Sequence, residues 1–400
     1  MVRGGDVIRT ATTDAARSVF LRACSALQPA DWHGQEAVLR AVASDGWAVV
    51  SKLAIQHGLV GLVSRNLDWA HQRTGVPIPI LKQMATWRQG QLLQMLLCRN
   101  AARRITSALA AGGIRFVIFR GLALVEQIYG DLSLRGFRDC DILVRREQLE
   151  AAHSVLRNLG YSFTLYDGLK EYLARGKAGG NMRHADGSLV DLHWGFQGYE
   201  IPTSDPEIIW SHCRPAKPPA ELPGWRMSPE LTLIYLATHF QVHEYQEFKP
   251  LVDFYHAAAK FGTRVDIDDL LPTARTLNML PPLDLAARLC QRLFAPNPLV
   301  ERLAAGTPSI HARIACRILT TKSLLRLDTI RPTERRLRSL LCYGAISSSA
   351  KAFRKMLIPK ARELELRFGQ PFDFAMYPRY YWVQAYRLVA RSRKPFSDLA

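Results

Sequence analysis

The stretch from Phe119 to Val144, FRGLALVEQIYGDLSLRGFRDCDILV, decides the fold class of this chain. Asp139 and Asp141 stand two residues apart at the start of an apolar run, and a strand sends alternate side chains to the same face. Both carboxylates are therefore expected to point the same way. Paired carboxylates on one face suit a divalent metal ion, which prefers oxygen ligands.

A glycine turn precedes the two aspartates. Residues 114–119 (IRFVIF) predict a buried strand, and apolar residues recur at helical spacing from Leu122 to Tyr129. Gly121 is thereby placed at a strand-to-helix turn, where free N–H groups and a close backbone approach suit a phosphate. Phosphates at the turn and a cation on the aspartates are what a metal-dependent phosphoryl or nucleotidyl transfer requires.

A third carboxylate is expected downstream. The segment 188–194 (SLVDLHW) follows an Asp-Gly turn dipeptide at 186–187 and predicts the second strand of a hairpin. Asp191 and His193 would share one face of that strand. Asp191 would either ligate a metal or take the proton of an attacking hydroxyl, while His193 would either pack in the core or contact substrate. The sequence leaves both choices open.

These segments, together with Gly160-Tyr161 and the run 249–253 (KPLVD), resemble the uncharacterised nucleotidyltransferase family of the polymerase-beta-like superfold. The resemblance covers roughly residues 110–260. More distantly, the chain is similar to the nucleotidyltransferase toxins of abortive-infection systems. The resemblance implies an α+β fold, in which a small mixed-sheet nucleotidyltransferase core is flanked by N-terminal and C-terminal helical regions.

The resemblance also implies roles for the residues of the site. Asp139, Asp141 and Asp191 would be catalytic and would bind Mg²⁺ or Mn²⁺, with a nucleoside triphosphate as co-substrate. The nucleotide would be bound by residues that match the family pattern: Arg120, Gly121, Arg135 and Lys249. Substrate contact is assigned to His193 and Asp253. The family more often has lysine at the position of Arg120, but arginine pairs bidentately with phosphate.

The function implied is transfer of a nucleoside monophosphate from a triphosphate such as ATP to an unknown acceptor: a small molecule, a peptide or protein, or an RNA end. The alternative is a catalytically silent, nucleotidyltransferase-like scaffold with an anion-binding surface, which Arg120 and Leu122 at the turn motivate. Retention of three aspartates argues against it, because clustered carboxylates repel one another unless a cation offsets them. A third reading is a transferase toxin or modifier that acts on tRNA.

The length of the chain and the position of a Pro-rich segment predict the domain organisation. The chain has 400 residues, of which 48% are hydrophobic, so more than one packed unit is expected. The predicted parts are an N-terminal helical region (1–110), a nucleotidyltransferase core (111–214), a Pro-rich linker (215–228) and a C-terminal basic helical domain (229–400). Ser228 followed by proline predicts the capped start of a helix.

Positive charge is concentrated near the C-terminus. The net charge is +18, and residues 313–400 contain 19 Lys and Arg against 6 Asp and Glu. Such a region could hold nucleic acid, an acidic protein, or an anionic membrane surface through the aromatic-basic run 377–387 (YPRYYWVQAYR). The alternative is a solvated basic helical face.

Two histidines and seven cysteines complete the inventory. His239 and His243 lie four residues apart on a predicted helix, which is zinc-like spacing, but no glutamate follows His239 and packing near the site is favoured. The cysteines stand singly, which favours a reducing compartment. With neither a signal peptide nor an apolar stretch long enough to span a membrane, a cytoplasmic location is expected.

Overall fold

The computed structural model describes residues 4–164, 169, 179–196, 206–217, 220–327, 334, 338 and 373–378. The chain divides into two compact units, Met1–Asp328 and Thr329–Ala400. The predicted C-terminal domain (229–400) is thus divided, because its helices up to residue 324 belong to the first unit. Most of the basic region, including residues 379–387 of the aromatic-basic run, lies outside the described residues.

Helices occupy the N-terminal part of the first unit. They are α1 (Gly4–Ser25), α2 (Glu36–Arg40), α3 (Ser44–Gln56), α4 (Val60–Thr74) and α5 (Leu81–Ala111), with a 3₁₀ turn at Pro29–Trp32. Phe20 and Trp32 are fully buried among them. The buried Asn66 amide donates to the carbonyl oxygens of Ala23 (2.6 Å) and Ala26 (3.0 Å), so α4 is fixed against the end of α1 by satisfied polar contacts as well as apolar packing.

A mixed sheet forms the centre of the first unit. Its strands are β1 (Phe116–Ile118), β2 (Asp139–Val144), β3 (Ser162–Phe163), β4 (Gly179–Arg183), β5 (Leu189–His193), β6 (Cys213–Pro215) and β7 (Trp225–Met227). The strand order is β3-β4-β5-β2-β1-β7-β6. β2 pairs in parallel with β5 and antiparallel with β1, and β4 pairs antiparallel with β5. The α+β fold with a mixed-sheet core flanked by helices is confirmed.

Two short pairings lie at or within the segment that the sequence predicts as a linker. β7 pairs in parallel with β1 through Val117 and Trp225, and β6 pairs antiparallel with β7. The sheet therefore continues beyond residue 214, and the segment 215–228 returns to its edge instead of leaving it. The proline content of this segment hid a pair of three-residue strands, since proline is tolerated only at edges and strand ends.

Helices on one face of the sheet cover its apolar side. The short helical segment after β1 consists of α6 (Leu122–Leu124) and a wider π turn (Val125–Tyr129), and α7 (Leu149–Asn158) follows β2. Alternate strand residues such as Ile142, Val190 and Leu192 pack with α5 and α7 in a continuous core. The opposite side chains of β2 and β5 include the aspartates, because successive residues of a strand face opposite ways.

Helices follow the sheet to the end of the first unit. They are α8 (Pro206–Ser211, before β6), α9 (Pro229–Val242), α10 (Lys249–Phe261), α11 (Ile267–Thr276), α12 (Leu280–Leu293), α13 (Pro298–Ala304), α14 (Ile310–Ile318) and α15 (Thr321–Leu324). The predicted cap of α9 is confirmed, because the Ser228 hydroxyl accepts from the Leu231 amide at 3.2 Å. Among the described helices, none combines the length and apolarity needed to cross a membrane.

Candidate functional site

Two buried carboxylates face each other across neighbouring strands. Because β2 and β5 are parallel and in register, Asp141 lies directly opposite Asp191, and both are almost inaccessible, with 3% and 5% exposure. His193, two residues after Asp191, shares its face. The His193 Nε2 atom lies 2.9 Å from Asp191 Oδ2 and 3.7 Å from Asp141 Oδ1. One ligand atom from each of the three residues lies within 4.8 Å of the others, which is close enough to share one metal ion.

Arg120 lies between the two carboxylates. Its Nη2 atom contacts Asp141 Oδ1 and lies 3.4 Å from Asp191 Oδ2. On its other side, Nη1 lies 3.4 Å from His239 Nε2 on α9. We call these contacts with Asp141, Asp191 and His239 the Arg120 bridge. The guanidinium thus supplies the positive charge that two adjacent buried carboxylates need.

The environment shifts the pKa values of the site in opposite directions. Burial raises the pKa of Asp139 to about 6, and the charge of Asp141 adds to this effect. Burial also acts to raise the pKa of Asp191, but the charge and hydrogen bond of His193 and the charge of Arg120 outweigh it, so this pKa is lowered. For His193, burial acts to lower the pKa, whereas Asp191 and Asp141 raise it to about 9. The cluster therefore favours bound cations.

Asp139 stands at the start of β2, at the edge of this cluster. It lies opposite Leu189 and is half-buried, and it is not among the three residues whose ligand atoms meet within 4.8 Å. Gly121 adjoins it: a β-carbon at Gly121 would lie 3.4 Å from the Phe137 ring and 3.5 Å from the Asp139 carbonyl oxygen, and its φ is +50°. The glycine therefore lets the turn approach the head of β2 closely.

The other predicted nucleotide-binding residues lie in a separate buried group. Arg135 Nε donates to both carboxylate oxygens of Asp253 (3.0 and 3.1 Å), and its Nη2 donates to Oδ2 at 2.8 Å. The Tyr129 hydroxyl donates to Asp253 Oδ1 at 2.6 Å. Lys249 Nζ donates to the Gly136 carbonyl oxygen at 3.3 Å, and burial lowers its pKa. These contacts give Arg135 and Asp253 a structural role, and the binding of nucleotide by Arg135 and of substrate by Asp253 stay predictions.

Helix α9 completes the wall behind Arg120. The ring of His239 stacks on Tyr235 with centroids 5.6 Å apart and meets His243 edge-on at 4.4 Å. Burial and the neighbouring charge of Arg120 hold the pKa of His239 well below its usual range, so its Nε2 is available as a neutral acceptor. His243 instead pairs with Glu247 at 3.0 Å. Packing beside the site, rather than zinc binding, is thus what the described contacts support.

The sequence did not reveal one feature of this arrangement and only partly indicated another. The Arg120 bridge joins residues 21 and 71 positions apart, and no local pattern distinguishes an arginine that faces carboxylates from one that faces phosphate. The place of His193 in the cluster had a weak signal in its alternation with Asp191. Chemically, the cluster offers buried carboxylate oxygens to a divalent cation, with the imidazole of His193 and the Gly121 turn beside them.

Comparison with known proteins identifies the family of the chain. The family described as "Uncharacterised nucleotidyltransferase" matches residues 43–295, which is more than half of the chain and includes every site residue named above. Among solved structures, the chain is similar to the antibiotic-resistance factor ANT(2'')-Ia, with 16% identity over 57% of this chain and 96% of that chain and a TM-score of 0.29. No curated protein matches the chain. On the strength of the family match, the protein is a nucleotidyltransferase and a member of the uncharacterised nucleotidyltransferase family.

Proposed function

We propose that the protein transfers a nucleoside monophosphate from a nucleoside triphosphate to an acceptor hydroxyl in a metal-dependent reaction. The acceptor oxygen forms a bond to the α-phosphorus, the bond between that phosphorus and the oxygen bridging to the β-phosphorus breaks, and pyrophosphate leaves while the acceptor loses its proton. The observation that carries the proposal is the direct opposition of Asp141 and Asp191 across β2 and β5, beside the Gly121 turn.

The residues present fit a divalent metal ion. Asp191 Oδ1 is buried and has no hydrogen-bond partner among the described residues, so an acceptor that burial ought to have satisfied is left open. Asp141 and Asp191 would hold the ion, with Asp139 from the same face of β2 and His193 adjoining. Mg²⁺ or Mn²⁺ would neutralise phosphate charge when bound. Carboxylate oxygens suit both Mg²⁺ and Mn²⁺.

Basic residues around the turn would bind the triphosphate. Gly121 lets the turn pack closely on Phe137 and the Asp139 carbonyl oxygen, and phosphate bound at this turn would lie beside the guanidinium of Arg120. Arg135 and Lys249 lie in the neighbouring buried group, where Arg135 pairs with Asp253 and Lys249 would contribute positive charge from α10. Their burial means that they would act through the field at the site more than by direct contact with phosphate.

Partners beyond the triphosphate follow from less specific features. A small hydroxylated molecule, a peptide or protein, and an RNA end all offer the oxygen nucleophile that the reaction needs. The basic C-terminal region would bind nucleic acid, an acidic protein or an anionic membrane surface. The described cysteines are free and five of the six are buried, which supports work in the reducing cytoplasm.

The first test is calorimetric titration of each of the four nucleoside triphosphates in the presence of Mg²⁺ or Mn²⁺. We compare the native chain with Asp139→Ala plus Asp141→Ala, and with Asp191→Asn. The matched control is Asp45→Asn, since Asp45 is an exposed aspartate on α3. Metal-dependent binding by the native chain and the control, and not by the site variants, is the expected result.

The second test follows the α-phosphate. Each triphosphate, labelled at the α-phosphate, is incubated with the nucleotidyltransferase and one acceptor fraction at a time: RNA, cellular protein or small molecules. The transferred label and the released pyrophosphate are measured in the same reaction. Label transfer with one pyrophosphate per event identifies the acceptor class. Triphosphate binding that is indifferent to metal and to all three aspartates would refute the proposed mechanism and favour the scaffold alternative.

A further inference from the structure

The guanidinium of Arg120 occupies the place between the carboxylates that a bound metal ion would take. Arg120 Nη2 contacts Asp141 Oδ1 and lies 3.4 Å from Asp191 Oδ2. A metal ion would use carboxylate oxygens of the same two residues. The same side chain belongs to the turn where phosphate would bind. An Nη2 group held between the carboxylates cannot present the same N–H donors to a triphosphate, so its position determines which partner it serves.

We propose that Arg120 is an exchangeable stand-in for the metal ion, and that metal binding releases it to the triphosphate. The inference rests on the proposed function, because it describes how the same site is regulated. In the metal-free protein, Arg120 and the neighbouring His193 together balance the charge of Asp141 and Asp191. A divalent cation between these carboxylates takes over that balance, and the guanidinium moves to the nucleotide.

The surroundings of Arg120 are suited to such an exchange. Its side chain is 15% exposed, whereas those of Asp141 and Asp191 are 3% and 7% exposed, so the arginine lies on the open side of the pair. Its Nε atom is buried and has no hydrogen-bond partner among the described residues. Its backbone adjoins Gly121, whose left-handed φ sets it at a turn and not within a regular element. The guanidinium is thus held by its charge contacts and not by a saturated hydrogen-bond network.

His239 holds the other end of the bridge. Its Nε2 atom lies 3.4 Å from Arg120 Nη1, and the ring is fixed between Tyr235 and His243. This contact is to an imidazole without a charge of its own, so it orients the guanidinium without the strength of a second ion pair. Removing it should favour release of Arg120.

The exchange predicts opposite effects of one substitution on two ligands. In Arg120→Gln, Mn²⁺ no longer competes with an internal cation, so we expect its Kd to fall at least about tenfold. The same variant lacks the guanidinium that would bind the triphosphate. Its affinity for a non-hydrolysable triphosphate analogue, with a methylene group between the α- and β-phosphorus atoms, should therefore fall at least about tenfold. A purely structural role would weaken both.

The experiment measures Mn²⁺ binding to the full-length protein at pH 8 by electron paramagnetic resonance and calorimetry, first without nucleotide and then with the analogue. Arg120→Lys keeps the charge, so its Kd for Mn²⁺ should stay within about threefold of the native value. His239→Phe keeps the ring and removes the acceptor, so Mn²⁺ should bind about threefold tighter. This variant tests the exchange even where Arg120→Gln does not fold. Arg104→Gln, at an exposed arginine, is the matched control.

The outcomes separate this inference from the proposed function. Mn²⁺ binding that requires Asp141, with no tightening in Arg120→Gln or His239→Phe, would overturn the exchange and leave the metal site standing. An Arg120→Lys variant that binds Mn²⁺ as tightly as Arg120→Gln would also overturn it, because charge would not be the competitor. Absence of Mn²⁺ binding in every folded variant, with and without the analogue, would overturn both.

Discussion

Two arginine–aspartate groups lie buried in the first unit, and they differ in how completely their hydrogen-bonding atoms are used. Arg135 and Asp253 form a closed group, in which the carboxylate accepts three arginine contacts and the Tyr129 hydroxyl. Arg120 belongs to an open group, in which Asp191 Oδ1 and Arg120 Nε have no hydrogen-bond partner among the described residues. The two arginines are both predicted to bind nucleotide because they match the same family pattern.

This difference indicates that the closed group has a structural role, whereas the open group can bind a ligand. A buried ion pair repays the cost of desolvation only when its remaining atoms are hydrogen-bonded, and the closed group meets that condition. The open group does not, so it keeps capacity for a ligand. Matching a family pattern therefore does not give every charged residue the same role. Arg120 and Arg135 are 15 positions apart, yet one faces the candidate metal ligands and the other fixes α10 to the loop before β2.

The largest effect should come from opening the closed group. Asp253→Ala leaves the Arg135 guanidinium buried without its partner, and we expect the free energy of unfolding to fall by about 3–5 kcal/mol. Urea denaturation followed by tryptophan fluorescence measures this loss.

A double substitution controls for the loss of the carboxylate itself. Arg135→Met plus Asp253→Leu removes both charges and replaces them with apolar side chains, so it should recover part of the stability. A loss below about 1 kcal/mol in Asp253→Ala alone would show that Arg135 finds another partner.

The open group should instead gain stability from a ligand. At a Mn²⁺ concentration 100 times the Kd, binding to the folded state adds about 2.7 kcal/mol to the free energy of unfolding. Asp141→Asn should abolish this gain. It should also destabilise the metal-free protein less than half as much as Asp253→Ala does, since Asp191 still pairs with Arg120.

Thermal unfolding with and without Mn²⁺ measures both quantities, and Asp45→Asn serves as the control because Asp45 is exposed. Equal stabilisation of Asp141→Asn and the native protein by Mn²⁺ would place the ion elsewhere.

Within the closed group, the tyrosine contact should have a smaller effect. Tyr129→Phe removes the hydroxyl that donates to Asp253 Oδ1 at 2.6 Å, and a buried hydrogen bond to a charged acceptor contributes about 1.5 kcal/mol or more. Tyr161→Phe is the matched control, because the Tyr161 hydroxyl bonds the neutral Ser188 hydroxyl at 2.7 Å and should contribute about 0.5–1 kcal/mol. Equal losses in urea denaturation would mean that the charge of Asp253 adds nothing to the bond.

Local patterns in the sequence predicted the elements that carry the candidate site. The Asp186-Gly187 dipeptide correctly indicated the hairpin of β4 and β5, and Ser228 correctly indicated the start of α9. Alternation along β2 and β5 gave the shared face of Asp141, Asp191 and His193. These features depend on neighbours a few residues apart, where turn chemistry and periodicity act directly.

Long-range pairing could not be predicted in the same way. The parallel pairing of Val117 with Trp225 joins the predicted strand β1 to β7, a three-residue strand that follows a Pro-rich segment and is too short to show a period. The partners of Arg120 and Arg135 are equally hidden, because Asp253 lies 118 positions from Arg135. A sequence shows that an arginine is present, whereas its role depends on which acceptors the fold brings to it.

A third arginine–aspartate pair, on the surface, sets the lower end of the scale. Arg104 on α5 contacts Asp186 at 2.6 Å, but their side chains are 55% and 40% exposed. Solvent screens such a pair, so Arg104→Ala should lower the free energy of unfolding by no more than about 0.5 kcal/mol, and raising the salt concentration should shrink the difference further. Urea denaturation at low and high salt measures this difference.

Arg104→Ala alone is the informative change for the surface pair, because Asp186 also accepts from the Ser188 amide in the hairpin turn. A loss comparable to that of Asp253→Ala would mean that distance alone, and not burial with saturated hydrogen bonds, distinguishes the closed group from the surface pair.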